Sequence, residues 1–129
     1  MGGRAMSRNN VPSQEDFARA KAAMRKDDQG LADVRRNIMN EFGSRGIRQV
    51  FSLYSRATNS FGVFVFFQSN TEVASAHESG LVSEIEGAAL QALEEVGRGP
   101  KSSIDVRFEF DSDENVQMDF AGDYSRRLR

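Results

Sequence analysis

This sequence holds one histidine, His77, and no cysteine. A zinc site of ordinary type needs several nitrogen or sulfur donors, which one histidine cannot supply. Serine is abundant enough for a Ser–His–Asp set, but no serine stands in a Gly-x-Ser-x-Gly elbow. His77, between Ala76 and Glu78, reads as a surface histidine. Asp111-Ser112-Asp113-Glu114-Asn115 imitates the first five positions of an EF-hand loop. However, Val116 stands where the sharp turn needs glycine, and Gly122 where a bidentate Glu is needed. The segment is expected to be a hairpin turn, since Asp and Asn bond their own backbone there. Gly97-Arg98-Gly99-Pro100-Lys101 has the composition of a phosphate loop but the wrong order, following a helix pattern and preceding a strand pattern. Arg98 and Lys101 are therefore expected to face the negative end of the preceding helix. Paired carboxylates of the glycosidase kind are defined by separation in space, so the sequence names no pair. No catalytic residue, metal ligand or cofactor site is expected, and the chain is not expected to be an enzyme.

Charge and aromatic content point to partners. Residues 1–48 carry ten Lys/Arg against six Asp/Glu, whereas residues 71–123 carry thirteen acids against Arg98, Lys101 and Arg107. Such an acidic stretch is either solvated surface or a face that steers association with a basic protein. It repels phosphate, and the aromatic strand lacks an RNA-reading Lys/Arg-Gly-Phe-x-Phe pattern, so nucleic acid is not an expected partner. The steering candidates are Asp111, Asp113, Glu114, Asp119 and Asp123. Phe64, Phe66 and Tyr54 are the candidate anchors, because one side of the run Phe61–Phe67 must either be covered by a terminal segment or form an interface.

These residues must be held by elements that the periodicity delimits. Ser13 and Asp16 have capping-box spacing. Phe17, Ala20, Met24, Leu31, Val34, Ile38 and Phe42 then recur at helical intervals, interrupted at Gly30, which leaves one long helix or two. Ile47–Tyr54 and Phe61–Gln68 read as a hairpin joined by a short polar loop. Phe61, Val63, Val65 and Phe67 face the helices, and Phe64 and Phe66 lie beside Val50 and Tyr54 on the other side. Asn70–Ser79 reads as a short helical segment capped by Asn70, and Leu81–Val96 as a helix ended by Gly97. Ile104–Phe110 alternates as a strand, and Val116, Met118 and Phe120 read as its return. The expected fold is α+β in the order α-β-β-α-β-β, a four-stranded antiparallel sheet with helices mainly on one face.

With 129 residues and ten Phe, the chain is expected to form one domain over 13–129, after a disordered segment at 1–12. It has no apolar run of membrane-spanning length and no h-region near Met1. A cytoplasmic location without membrane contact is expected, and the absence of cysteine fits a reducing compartment. The tail Tyr124–Arg129, with three arginines, is expected to be solvated.

Phe108-Glu109-Phe110-Asp111-Ser112-Asp113-Glu114-Asn115-Val116, then Gly122-Asp123-Tyr124 and Arg127-Leu128-Arg129, is similar to the C-termini of small bacterial immunity proteins of toxin–immunity systems. Gly62–Phe67 and Val96-Gly97-Arg98-Gly99 share that character, so the resemblance covers about the last half of the chain. It implies a small α+β immunity or antitoxin-like protein that occludes a cognate toxin domain, a nuclease where the acidic face is matched. It carries over no catalytic residue. Two other classes stay open: a small-molecule binding domain or enzyme with a cleft between sheet and helices, and a structural homodimer formed through a strand edge or sheet face.

Overall fold

Ser13 and Asp16 open the first helix as their spacing requires: the Ser13 hydroxyl accepts from the Asp16 N–H at 3.1 Å, and the Asp16 carboxylate accepts from the Ser13 N–H at 3.2 Å. The structure, a computed structural model, describes residues 13–129. The expectation for residues 1–12 lies outside the described residues, as do the side chains of Phe17 and Met24. The helical stripe is two helices, α1 (Gln14–Asp27) and α2 (Leu31–Phe42). Gly30 separates them with a φ of 77°, in the left-handed region. A Cβ at Gly30 would lie 2.5 Å from a Val96 methyl, so the joint needs glycine for both backbone and space. Leu31, Val34, Ile38 and Phe42 are the buried stripe of α2, while Ala20 is exposed.

The expected hairpin is present. Strands β1 (Ile47–Ser55) and β2 (Ser60–Phe67) pair antiparallel, with an irregularity between Ile47 and Gln49. Two helices follow, α3 (Asn70–Ser79) and α4 (Leu81–Glu95), jointed at Gly80. The cap of α3 is Ser69 rather than Asn70: its hydroxyl accepts from the Glu72 N–H at 3.3 Å, and Glu72 accepts from the Ser69 N–H at 3.0 Å. Strand β3 (Val106–Ser112) then returns beside β2, giving the order β1-β2-β3.

Two expectations fail here. Among the described residues the sheet has three strands and is mixed, because β3 runs parallel to β2. The connection through α3 and α4 is long enough to carry the chain back to the starting end of β2, which a parallel pair requires. The second hairpin expected over residues 103–121 does not form: residues expected to turn and return form helix α5 (Asp113–Phe120), followed by the short α6 (Tyr124–Arg127). The Ser112 hydroxyl caps α5 by accepting from the Asn115 N–H at 3.0 Å, and Asp113 and Glu114 favour its positive end. Val116 and Phe120 are one helical turn apart and both reach the sheet, whereas Met118, between them, is 77% exposed. Their apparent alternation was a helical period sampled at three residues.

The result is three layers. Phe61, Val63, Val65 and Phe67 pack with α2, α3 and α4 in the main core. Phe64 and Phe66 pack with Val116 on the opposite face, joined by Phe51, Phe120, Tyr124 and Leu128. Helices thus cover both faces, not mainly one. Val50 lies opposite Val65 and Tyr54 opposite Phe61 in the register, so both belong to the main-core side. Phe51, opposite Phe64, is the β1 residue beside the second aromatic set. Among the described residues, no helix is long and apolar enough to cross a membrane.

Candidate functional site

The aromatic face of the sheet is covered by the chain's own C-terminal segment. Phe66 is 1% exposed and meets Phe51 and Tyr124 edge-on, at ring separations of 5.9 and 4.9 Å. Phe64 is also buried. Tyr54, on the other face, packs on Phe61 and lies under the Arg98 guanidinium at 5.0 Å. Its hydroxyl donates to Asn59 at 2.6 Å. The three aromatic anchor candidates therefore do not form one patch. Arg98 does not serve the helix before it: it donates to the carbonyls of Lys26, Asp27 and Gln29 at 3.2, 3.0 and 2.9 Å. Those carbonyls belong to the end of α1 and its joint, the negative end of a different helix. Lys101 donates to Gln91 of α4 at 3.4 Å.

The five acidic candidates separate into structural and exposed groups. Asp111 accepts from the Ser112 N–H at 2.8 Å, the Asn115 amide at 2.7 Å and Arg127 at 3.0 Å. Burial pushes its carboxyl up, but these donors together outweigh burial and hold it below its ordinary value of 3.8. Arg127 also donates to Glu109 at 3.0 Å and lies over Phe66. Burial alone would lower its pKa; the two carboxylates more than compensate and raise it. Asp113 is buried and accepts from the Tyr124 hydroxyl. Burial, then this carboxylate, hold that phenol well above its ordinary value of 10.0, so it stays a donor. Asp123 caps α6 by accepting from the Arg126 N–H at 3.3 Å. Glu114 is exposed and accepts from the Asn70 N–H at 3.0 Å. Asp119 is exposed, with no hydrogen bond or ion pair among the described residues. The C-terminal segment is thus a strap latched by ionic and phenolic contacts, and only Glu114, Asp119 and Asp123 remain at the surface.

His77 is exposed on α3, its ring edge-on to Phe110 at 6.0 Å. Among the described residues no group of three or more His, Cys, Asp or Glu is placed to hold a metal ion.

Two concave surfaces of equal volume stand out, one beside Leu53, Gly62 and Arg107 on the sheet and one on the helical layer. An open groove of about 790 Å³ runs between α2 and α4, lined by Glu41, Glu84, Glu95, Asn37, Asn40 and Gln91, with Gly87 and Ala88 on the α4 side. None of the described lining residues is basic, although Lys101 reaches Gln91 at its rim. Arg45 reaches Glu84 at 3.3 Å, but both side chains are about half exposed, so water screens the pair. The chain matches no family model, no curated protein and no solved structure. The groove must therefore be read from its own chemistry. Three carboxylates and three amides offer acceptors to a cationic partner, and the amides add donors. Gly87 adds a separate observation: it sits inside α4, where glycine costs about 1 kcal/mol against alanine, yet a Cβ there would meet nothing within 4 Å. Packing within the chain does not ask for that glycine. The sequence leaves the acidic stretch 71–123 as either solvated surface or a steering face and singles out none of the α4 glutamates. The available signal was Gly87 itself, a helix-weakening residue in an otherwise strong helix pattern.

Proposed function

We propose that this protein is a non-enzymatic binding protein of the immunity type, which occludes a basic toxin domain one-to-one in the cytoplasm. The observation that carries this reading is the acidic groove between α2 and α4, open and with no basic residue among its described lining residues. A nucleic-acid-cleaving domain presents cationic side chains to its phosphate substrate, and the groove offers Glu41, Glu84 and Glu95 to the same groups. Gly87 lets a partner's backbone or side chain come close to the α4 axis. Long-range attraction speeds encounter, and desolvated contacts at the groove floor hold the complex. Glu114, Asp119 and Asp123 lie on the strap, across the sheet from the groove, and add to the negative field rather than to the contact.

The test is association with an inactivated toxin domain encoded beside this gene, followed by binding kinetics at two salt concentrations. Glu41→Lys with Glu95→Lys should slow association at low salt by at least about tenfold and flatten the salt dependence. Asp119→Lys should have a small effect. If Asp119→Lys is the damaging change, the contact lies on the strap. If the adjacent product does not bind, the immunity reading is wrong.

A further inference from the structure

We propose that the free edge of β1 is a self-association surface, at which two copies of this chain pair antiparallel about Ser52. Among the described residues β1 is an edge strand of nine residues, hydrogen-bonded to β2 on one side only. Edge strands are ordinarily protected by charges, proline or short length. Gln49-Val50-Phe51-Ser52-Leu53-Tyr54-Ser55 contains no charged residue, proline or glycine. The side-chain pattern selects both the partner and the register. A two-fold axis perpendicular to the sheet pairs residues whose side chains share a face. Centred on Ser52, it places Phe51 opposite the partner copy's Leu53, Val50 opposite its Tyr54, and Gln49 opposite its Ser55. Every apolar residue then meets an apolar one, and every polar residue a polar one. Moving the centre to Phe51 sets Leu53 against Gln49 and Tyr54 against Arg48. Moving it to Leu53 sets Phe51 against Ser55 and Val50 against Arg56. Neither alternative matches.

Two further observations fit this arrangement. Leu53 is 42% exposed, one of two large apolar side chains so placed among the described residues, and the pairing covers it with the second copy's Phe51. The Ser52 hydroxyl is buried with no hydrogen-bond partner among the described residues, and unpaired buried polar groups are costly. At the two-fold axis each Ser52 faces its own copy, and rotation about one side-chain bond brings the hydroxyls together. At the ends, Arg48 faces Arg56 of the second copy. Each brings its own carboxylate, Asp113 at 3.7 Å and Asp27 at 3.2 Å, which offsets the repulsion.

The experiment uses the full chain and needs no partner. Sedimentation across a wide concentration range should show a shift from 14.4 kDa to twice that mass. Leu53→Lys, at an exposed position, should raise the dimer dissociation constant at least about tenfold, with an unchanged melting temperature at concentrations where both proteins are monomeric. Because the chain has no cysteine, Ser52→Cys should cross-link to itself under mild oxidation, while Leu53→Cys should not. A chain that stays monomeric at high concentration overturns the proposal, and so does cross-linking through Leu53→Cys but not Ser52→Cys. A dimer unaffected by Leu53→Lys overturns it as well.

Discussion

Arg127 shows how much one side chain decides here. It sits in the tail that charge alone assigned to solvent, yet it is about four-fifths buried, spans Glu109 and Asp111 and lies over Phe66. Replacing it with Leu should cost about 1–3 kcal/mol, because two carboxylates lose their shared donor. Urea unfolding of the two proteins at neutral pH measures this. The pH dependence follows from Asp111. Its folded pKa is lowered, so its contribution is present above the unfolded value and is lost as pH falls through the folded value. The stability difference between the parent chain and Arg127→Leu should therefore shrink below about pH 4. A difference that is constant from pH 7 to 3 would show that the carboxylate contact is not what Arg127 supplies. His77, by contrast, is exposed, and His77→Ala should change neither stability nor binding by more than about 0.5 kcal/mol.

At the scale of elements, two glycines, Gly30 and Gly87, make opposite predictions. Gly30→Ala puts a methyl into Val96 at a left-handed joint and should destabilise by roughly 2 kcal/mol or more. Gly87→Ala fills open space within α4 and should stabilise by about 0.5–1 kcal/mol. If the groove holds a partner, the same Gly87→Ala should weaken binding while raising the melting temperature. A change that raises stability and leaves affinity intact would detach Gly87 from function. For α5, Ser112 is the deciding residue: it is fully buried, caps the helix and donates to Asn70 at 2.7 Å. Ser112→Ala should cost about 1–3 kcal/mol, read by thermal unfolding.

For the whole molecule, the C-terminal strap closes the third layer. Deleting residues 123–129 removes Tyr124, Arg127 and Leu128 from the aromatic face. Phe51 and Phe66 would then be uncovered, at a cost of roughly 3 kcal/mol or more. The shortened chain should bind a hydrophobic dye and lose cooperativity; a shortened chain as stable as the parent would mean α5 alone covers that face. The groove and the β1 edge share no residue, so Leu53→Lys should leave partner binding unchanged, and Glu41→Lys with Glu95→Lys should leave self-association unchanged.

Local chemistry was enough to determine the elements whose pattern is long or whose ends are capped. Ser13 with Asp16, the apolar stripe of α2, the hairpin of β1 and β2, and α4 with Gly97 beyond it all follow from hydrogen-bond capping and from periods of 3.6 and 2. Those rules act over a few residues and carry no information about which surface a segment meets. Val116–Phe120 is short enough to satisfy either period; the Ser112 cap, together with the otherwise uncovered Phe64 and Phe66, makes the helix the better answer. The direction of β3 was settled by where α3 and α4 deliver the chain. The roles of the acidic residues were settled by distance. Asp111 and Asp113 became latch residues because Arg127 and Tyr124 fold back onto them, while Glu41, Glu84 and Glu95, far apart in sequence, came to line one groove because α2 and α4 pack side by side. Proximity of this kind belongs to the tertiary structure, since electrostatic and packing energies depend on separation in space and not along the chain.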